Sequence, residues 1–386
     1  MIPYGKQEIT QADIDEVVKV LQSDFLTQGP KVLEFEENLK KYTGANYAFA
    51  VNSATSALHI ACLAIGLKEN DWLWTSPVTF VASSNCALYC GAKVDFVDID
   101  KKTYNLCPKK LELKLKKAEK LGNLPKIVIP VHLGGQSCDM KPIKRLSDKY
   151  GFKIIEDASH AIGGSYLKKK VGSCEYSDVT VFSFHPVKII TTGEGGAALT
   201  NNKDIAQKMN LYRTHGITKD DTFFEDISDG GWYYEQKVLG LNYRMTDIQA
   251  ALGISQLSKI DSFVSSRHRL MCRYNKLLSH LPLITPYQSP NAYSGLHLFI
   301  IRLKLKEIKK THSQVFQSLR DNGVGVNLHY IPIYRHPYYK KMNFELKIFP
   351  ESEEYYKEAI SLPMFHSMSD KEQDKVIEIL TNILEE

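Results

Sequence analysis

At 386 residues the chain exceeds what one hydrophobic core usually organises, so two domains are expected. A hydrophobic content of 43% with 24% charged residues is that of a soluble globular protein. The net charge of +5 is small for this length, and no basic block or aromatic ladder accompanies it, which argues against a nucleic-acid partner.

No run approaches ~18 apolar residues, and MIPYGKQEIT lacks the apolar core of a signal peptide, so no membrane span is expected. The seven cysteines are scattered and odd in number. Cys86 and Cys90 are four apart, but no second Cys/His pair at zinc spacing joins them, so no metal is expected. Free thiols in a reducing cytoplasm are the expectation.

Gln11–Ser23 carries Ile14, Val17, Val18 and Leu21 near 3.6 periodicity, which predicts a helix. Gln28-Gly29-Pro30 turns the chain into a second amphipathic helix, Val32–Tyr42. Seven short apolar runs follow: Tyr47–Val51, Trp72–Ser76, Lys93–Val97, Ile127–Val131, Lys153–Ile155, Val179–Ser183 and Ala197–Thr200. Helical stretches or glycine turns separate them. This alternation predicts an α/β fold with a largely parallel sheet, whose functional residues directly follow the strands. Lys168–Lys170 reads as a solvated hairpin turn, and Lys114–Lys120 as an exposed helix face.

Beyond Thr200 the pattern gives a helix, Lys203–Leu211, and a long polar and aromatic loop from Arg213 to Gly240. Helices Ile248–Leu257 and Phe263–Leu278 lead into the second unit. There, strands Leu296–Leu303 and Val324–Leu328 alternate with helices Ser313–Arg320, Glu353–Ile360 and Asp370–Leu384, an α+β pattern. The expected division is a large domain at 1–250 and a smaller one at 251–386.

Four stretches follow strands and carry chemistry. Asn52-Ser53-Ala54-Thr55-Ser56 opens the apolar helix Ala57–Leu67. Its hydroxyls suit an N-cap, and equally an anion seat, since free N–H groups and a positive dipole end bind phosphate. Phe80, after the second run, sits among small polar residues and reads either as core or as a ring face for a planar ligand. Asp157 and His160, in Glu156-Asp157-Ala158-Ser159-His160, read as a helix cap or as a carboxylate and an imidazole facing a heterocycle. Lys188 lies in FSFHPVKIITTGEGG. An amine after a strand, followed by glycines, suits contact with a ligand that the backbone also approaches closely; a solvated loop lysine is the plainer reading.

In order and spacing, NSATSALH (Asn52–His59), PVTFVAS (Pro77–Ser83), IEDASHAIG (Ile155–Gly163), FSFHPVKIITTGEGG (Phe182–Gly196) and GLNYRMTDIQAALG (Gly240–Gly253) resemble the DegT/StrS sugar aminotransferases. The resemblance implies the fold type I (aspartate aminotransferase-like) architecture of pyridoxal 5'-phosphate enzymes, with a mixed, mostly parallel seven-stranded sheet and a smaller C-terminal α+β domain. It implies Lys188 as the Schiff-base lysine, Asp157 at the pyridine nitrogen, and His160 by the phenolic oxygen, where other members have Gln. Thr55, Ser56 and Ser183 would hold the phosphate, and Phe80 would stack on the ring. Asn242 would reach the phosphate of a neighbouring subunit, making the active unit a homodimer. Gly193 stands where close relatives often carry Ala. Dehydratase members replace the lysine by histidine, so Lys188 favours amino transfer.

The likeness extends over nearly the full chain to the branch that serves pseudaminic acid biosynthesis, through stretches such as DFLTQGPKV (Asp24–Val32), PVHLGGQSCDM (Pro130–Met140) and VNLHYIPIY (Val326–Tyr334). That implies L-glutamate as amino donor and a UDP-linked 4-keto-6-deoxy-N-acetylhexosamine as acceptor, aminated at C4. His185, Arg213, His215, Arg244, His329 and Tyr330 are candidates for holding the nucleotide sugar. A nicotinamide oxidoreductase is the rival at the level of the fold, but no G-x-G-x-x-G joins a strand to a helix. A sensor module attached to a DNA-binding domain is the other, and the chain opens directly on its first expected helix.

Overall fold

The computed structural model describes residues 1–345 and 348–385; the expected limit of the second domain at residue 386 lies outside them. The seven apolar runs all become strands of one sheet: β1 Tyr47–Val51, β2 Trp72–Thr75, β3 Lys93–Phe96, β4 Ile127–Ile129, β5 Lys153–Asp157, β6 Val179–Ser183 and β7 Gly196–Thr200. Their order is β1-β7-β6-β5-β4-β2-β3, and only β7 runs against its neighbours. The parallel pairs require crossovers, which the intervening helices provide. Every residue of β6 and β7 is buried, so both sheet faces are covered at its centre.

Caps place the first helices. The first helix, α1 (Gln11–Leu21), opens on a capping box in which Asp13 accepts from the N–H and hydroxyl of Thr10. The second, α2 (Pro30–Thr43), has proline in its first turn, and its two leading amides, Gly29 and Lys31, donate to the Asp247 carboxylate at 2.8 Å each. This clamp explains Gln28-Gly29-Pro30: a Cβ on Gly29 would sit 2.4 Å from that of Phe25. Both helices pack on the helix Asp247–Leu257. The third, α3 (Ala54–Ile65), starts at Ser53, whose hydroxyl accepts the Ser56 N–H, and stops at Gly66 in the left-handed region.

The helix Ile260–Leu277 leads to a second hydrophobic cluster, built on an antiparallel sheet of Leu283–Ile284, Phe299–Leu303 and Ala359–Leu362. Two expectations are corrected here. Val324–Leu328 is not a strand; it makes isolated bridges, Val324 to Ile2 and Asn327 to Ser361. The helix expected to run to Ile360 ends at Glu358, because Ala359–Leu362 are buried and pair with Phe299–Arg302. Strand pairing overrides helical continuity once all four side chains must be covered. The N-terminus also joins this unit, Met364 donating its N–H to the Tyr4 carbonyl at 3.1 Å. The loop from Arg213 to Gly240 holds a short antiparallel pair, Ile217–Thr218 with Glu235–Gln236. The lysine turn is the expected hairpin, Ser165–Tyr166 with Lys169–Lys170. Lys114, expected on an exposed face, lies instead 4.8 Å over the Trp74 ring and pairs with Asp95 at 2.6 Å.

Asp13 ties α1 to the rest. Its fully buried carboxylate accepts from Lys259 Nζ at 2.6 Å, Ser255 Oγ at 2.7 Å and Gln256 Nε2 at 3.0 Å. Burial raises its pKa, but Lys259 and the other donors outweigh that and hold it at about 2. A folded value below the unfolded one makes this stabilisation complete above about 4 and lost as pH falls through about 2. Asp13→Ala should cost about 3 kcal/mol at pH 7. Denaturant midpoints of variant and parent should converge as the pH is lowered towards 2.

Candidate active site

The loops beyond β1, β2, β5 and β6 converge on a cavity of about 700 Å³, closed on its far side by segments around His297 and His329. Backbone register sets its floor. Asp157 ends β5 opposite Val181 of β6, and its peptide is held from the other side, its N–H donating to Pro130 O and its carbonyl accepting from His132 N, each at 3.0 Å. The buried Asp157 carboxylate accepts from Ser83 Oγ at 2.7 Å and from Ser159 through Oγ at 2.6 Å and N at 3.1 Å. Thr79 lies 2.8 Å from Ser83 Oγ, and since Ser83 gives its proton to Asp157, Thr79 is the donor between them.

Lys188 stands across from this carboxylate, five residues beyond β6 in a turn closed by its own N–H on the His185 carbonyl at 2.9 Å. Its half-buried amine makes no hydrogen bond or ion pair among the described residues. Burial brings its pKa down to about 8, against an opposing pull from Asp157. Its neutral fraction near neutral pH is therefore far larger than that of a surface lysine, and it faces open space.

At the cavity's third corner the N-terminus of α3 presents the amides of Ala54 and Thr55, which donate to no described residue. Ser53, Thr55 and Ser183 line the same corner. Gly196 makes this approach possible, since a Cβ there would lie 2.4 Å from Ala54 N. Ser56, expected to join them, turns its hydroxyl to Asn52 Oδ1 at 2.6 Å and lies outside the lining. Phe80 lines the cavity with its ring 57% exposed, the reverse of a core aromatic.

The far wall is imidazole and phenol. His160 accepts the Gly134 N–H at Nδ1 (3.3 Å), and its Nε2 lies 3.1 Å from the Tyr330 hydroxyl. His329 Nδ1 is 2.8 Å from Ser361 Oγ. Burial first, and the Lys188 charge second, push His160 well below the usual histidine range and His329 down to about 3. His297, its ring 4.5 Å from that of His160, is likewise depressed by burial and by His160, and its buried Nδ1 has no partner.

Of the remaining expected residues, His185 lines the cavity, exposed and 3.9 Å from Glu194. Arg213 does not: its guanidinium is taken up by Glu36, the Ala50 carbonyl and Asn210. His215, Asn242 and Arg244 also lie outside the lining, His215 and Asn242 being exposed. Ser53, Ser83, Ser159 and His297 were not singled out from the sequence. Thr79 lies in the bend before the helix Ala82–Tyr89 that carries Ser83, so helical spacing does not mark the pair, and nothing local marks His297, which arrives from a remote segment.

The groups lining the cavity fit pyridoxal phosphate. Free amides and hydroxyls suit its phosphate, an open ring face suits its heterocycle, a buried carboxylate its ring nitrogen, and an unpaired amine of lowered basicity its aldehyde. Among the described residues no group of three or more His, Cys, Asp or Glu is arranged for a metal, and no helix is long and apolar enough to cross a membrane.

Fold and cavity together define a fold type I aminotransferase. The chain belongs to the DegT/DnrJ/EryC1/StrS aminotransferase family, whose model matches residues 7–381. It is 41% identical, over 100% of its length and 98% of the relative's, to the UDP-4-amino-4,6-dideoxy-N-acetyl-beta-L-altrosamine transaminase of Campylobacter jejuni subsp. jejuni. It is 37% identical to spore coat polysaccharide biosynthesis protein SpsC of Bacillus subtilis, over 99% and 97% of the two chains. Among solved structures it superposes with a TM-score of 0.89 on Helicobacter pylori PseC, an aminotransferase involved in the biosynthesis of pseudoaminic acid, at 30% identity over 100% and 99% of the chains. The protein is a pyridoxal phosphate-dependent sugar aminotransferase.

The Lys188 amine is directly testable. In cofactor-free protein its acylation by an amine-selective reagent should rise with pH through a midpoint near 8, whereas surface lysines should follow ~10.4. Peptide mass spectrometry across a pH series reads both; a Lys188 midpoint above 10 would contradict the desolvated site.

Proposed function

We propose that this enzyme transfers the amino group of L-glutamate to C4 of a UDP-linked 4-keto-6-deoxy-N-acetylhexosamine, giving UDP-4-amino-4,6-dideoxy-N-acetyl-beta-L-altrosamine for pseudaminic acid synthesis. The observation that carries the chemistry is the unpaired Lys188 amine opposite the buried Asp157. The sugar rests on 41% identity along the whole chain to a transaminase named for that product.

Pyridoxal phosphate, when bound, supplies the carbon that carries the amino group and a ring that delocalises the negative charge left by proton removal. Asp157, held by Ser83 and Ser159, would hold the ring nitrogen and keep it protonated. Thr55, Ser183 and the α3 amides take the phosphate. Lys188 would anchor the cofactor until the amine of glutamate displaces it, and the freed Nζ would then take the α-proton of glutamate in the first half-reaction. In the second, Nζ delivers a proton to C4 of the sugar from one face. The transfer is ping-pong, with 2-oxoglutarate leaving before the sugar enters.

The active unit is read as a homodimer, with Asn242 reaching the partner's cofactor phosphate. Its support is that Asn242 is exposed and outside its own cavity, while Tyr243 beside it accepts the Asn52 N–H at 2.9 Å. His185, His329 and Tyr330 are assigned to the nucleotide sugar from their place in the lining, and His215 and Arg244 to a site shared between subunits. The division into domains at residue 250 and a cytoplasmic location complete the reading, the latter supported by seven free cysteines.

The visible spectrum of the loaded enzyme tests the proposal. L-glutamate should bleach the cofactor band, and UDP-4-keto-6-deoxy-L-arabino-N-acetylhexosamine should restore it. Bleaching without recovery would reject this acceptor in favour of another nucleotide-linked 3- or 4-ketosugar. Lys188→Ala should bind cofactor yet lose turnover; normal turnover would remove Lys188 from its role.

A further inference from the structure

The bonds of His160 fix which atom of the far wall can donate to a ligand. Gly134 and Gly135 form a turn pinned by the amides of Leu298 and Gly295, which donate to their carbonyls at 3.1 and 2.9 Å. Gly135 has φ +107, and a Cβ on it would lie 2.6 Å from Leu296 N and 2.8 Å from His160 O, so the turn admits no side chain there. The pinned turn aims the Gly134 N–H at His160 Nδ1. A nitrogen that accepts that bond carries no proton, so the proton of the neutral ring is on Nε2. Nε2 is 3.1 Å from Tyr330 Oη, and the two rings lie 24° from parallel. Nε2–H is therefore the donor and Oη the acceptor. The Tyr330 hydroxyl proton is left without an acceptor among the described residues, in a side chain that lines the cavity with its ring 6.1 Å from that of Phe80.

We propose that Tyr330 is the donor this wall presents to an oxygen of a bound ligand, and that His160 is a positioning residue that holds the phenol in its donating orientation. The proposal rests on the aminotransferase reading for its ligands, whose acceptor oxygens are the cofactor's phenolic oxygen and those of the sugar. It differs from the role implied by family resemblance, in which the residue at position 160 meets the phenolic oxygen itself. A glutamine amide in place of the imidazole would offer the same pair, one acceptor for Gly134 and one donor for Tyr330. The downward shift of His160 and the upward shift of Tyr330, both led by burial, keep the pair neutral.

The test uses Tyr330→Phe, His160→Leu, His160→Gln and the Tyr330→Phe/His160→Leu double variant as holoenzymes. Pyridoxal phosphate affinity is read by titrating stripped protein, alongside kcat and KM for the sugar. Tyr330→Phe should weaken one ligand about three- to tenfold, the range for one neutral hydrogen bond. His160→Leu should do the same, the double variant should be no worse than either single change, and His160→Gln should recover most of the loss. Weaker cofactor with unchanged sugar KM assigns the donor to the phenolic oxygen; a raised sugar KM with unchanged cofactor affinity assigns it to the sugar. Tyr330→Phe matching the parent in both, or effects that add in the double variant, overturns the proposal.

An independent reading needs neither ligand. In 15N spectra of cofactor-free protein, the His160 signal, identified by its loss in His160→Gln, should show the Nε2–H tautomer. The Nδ1–H tautomer overturns the relay whatever the enzyme's substrate is, while failure to take up pyridoxal phosphate would count against the functional reading alone.

Discussion

A carboxylate buried under a sheet must be satisfied or expelled, and the whole cavity is arranged around satisfying Asp157. Three donors from two hydroxyl side chains and one amide reach its oxygens, and its own peptide is fixed between β4 and β6. Parallel register does the rest. Because Asp157 pairs with Val181, the strand beside it ends two residues further on at Ser183, and the following turn brings Lys188 back over the carboxylate. Facing charges of opposite sign then share a poorly solvated space, in which burial lowers the amine more than the carboxylate raises it. A catalytic amine must be basic enough to take a proton and uncharged enough to attack, and that balance places it there.

Behind this pair lies a second buried network whose side chains lie outside the cavity lining. Glu156 accepts from His132 Nε2 at 2.7 Å and from Ser177 Oγ at 2.5 Å, while His132 Nδ1 accepts the Cys138 N–H at 3.1 Å. Alternate residues of a strand point to opposite faces. Glu156 therefore anchors the end of β5 on one side, as Asp157 is held on the other. Of the two adjacent acids in this strand, one fixes the backbone and the other faces the cavity.

The large sheet was legible because its signals are local. Each buried strand is a short apolar run bounded by turn residues, and the residues at or beyond their ends, Thr55, Phe80, Asp157, His160, Ser183 and Lys188, all line the cavity. What stayed hidden depends on distant partners. Ala359–Leu362 reads as the tail of a helix until Phe299–Arg302 lies beside it. Arg213 reads as a free cation until Glu36, 177 positions away, is seen to take it. Ser56 shares the motif of Thr55, yet its hydroxyl closes onto Asn52, because successive positions of a helical turn cannot face the same way. His297 has no local signature at all, since its value lies in meeting His160 from a segment over a hundred residues later.

The composition of the cavity also explains why the acceptor is harder to read than the reaction. Lys188 is the one lysine or arginine among its described lining residues, and the proposed mechanism commits it to the chemistry. Three of the histidines, His160, His297 and His329, are held below their usual range by burial and by that same lysine, so they offer hydrogen bonds in place of positive charge. A phosphate monoester can be held by helix amides and hydroxyls alone, as at α3. A nucleoside diphosphate carries more charge than such a wall balances. In the homodimer proposed above, the exposed His215 and half-buried Arg244, on the segment that carries Asn242, are the groups free to supply it across the subunit boundary. On that proposal reaction class is a property of one chain's sheet ends, while nucleotide recognition is a property of two chains, and only the first can be read from a single run of motifs.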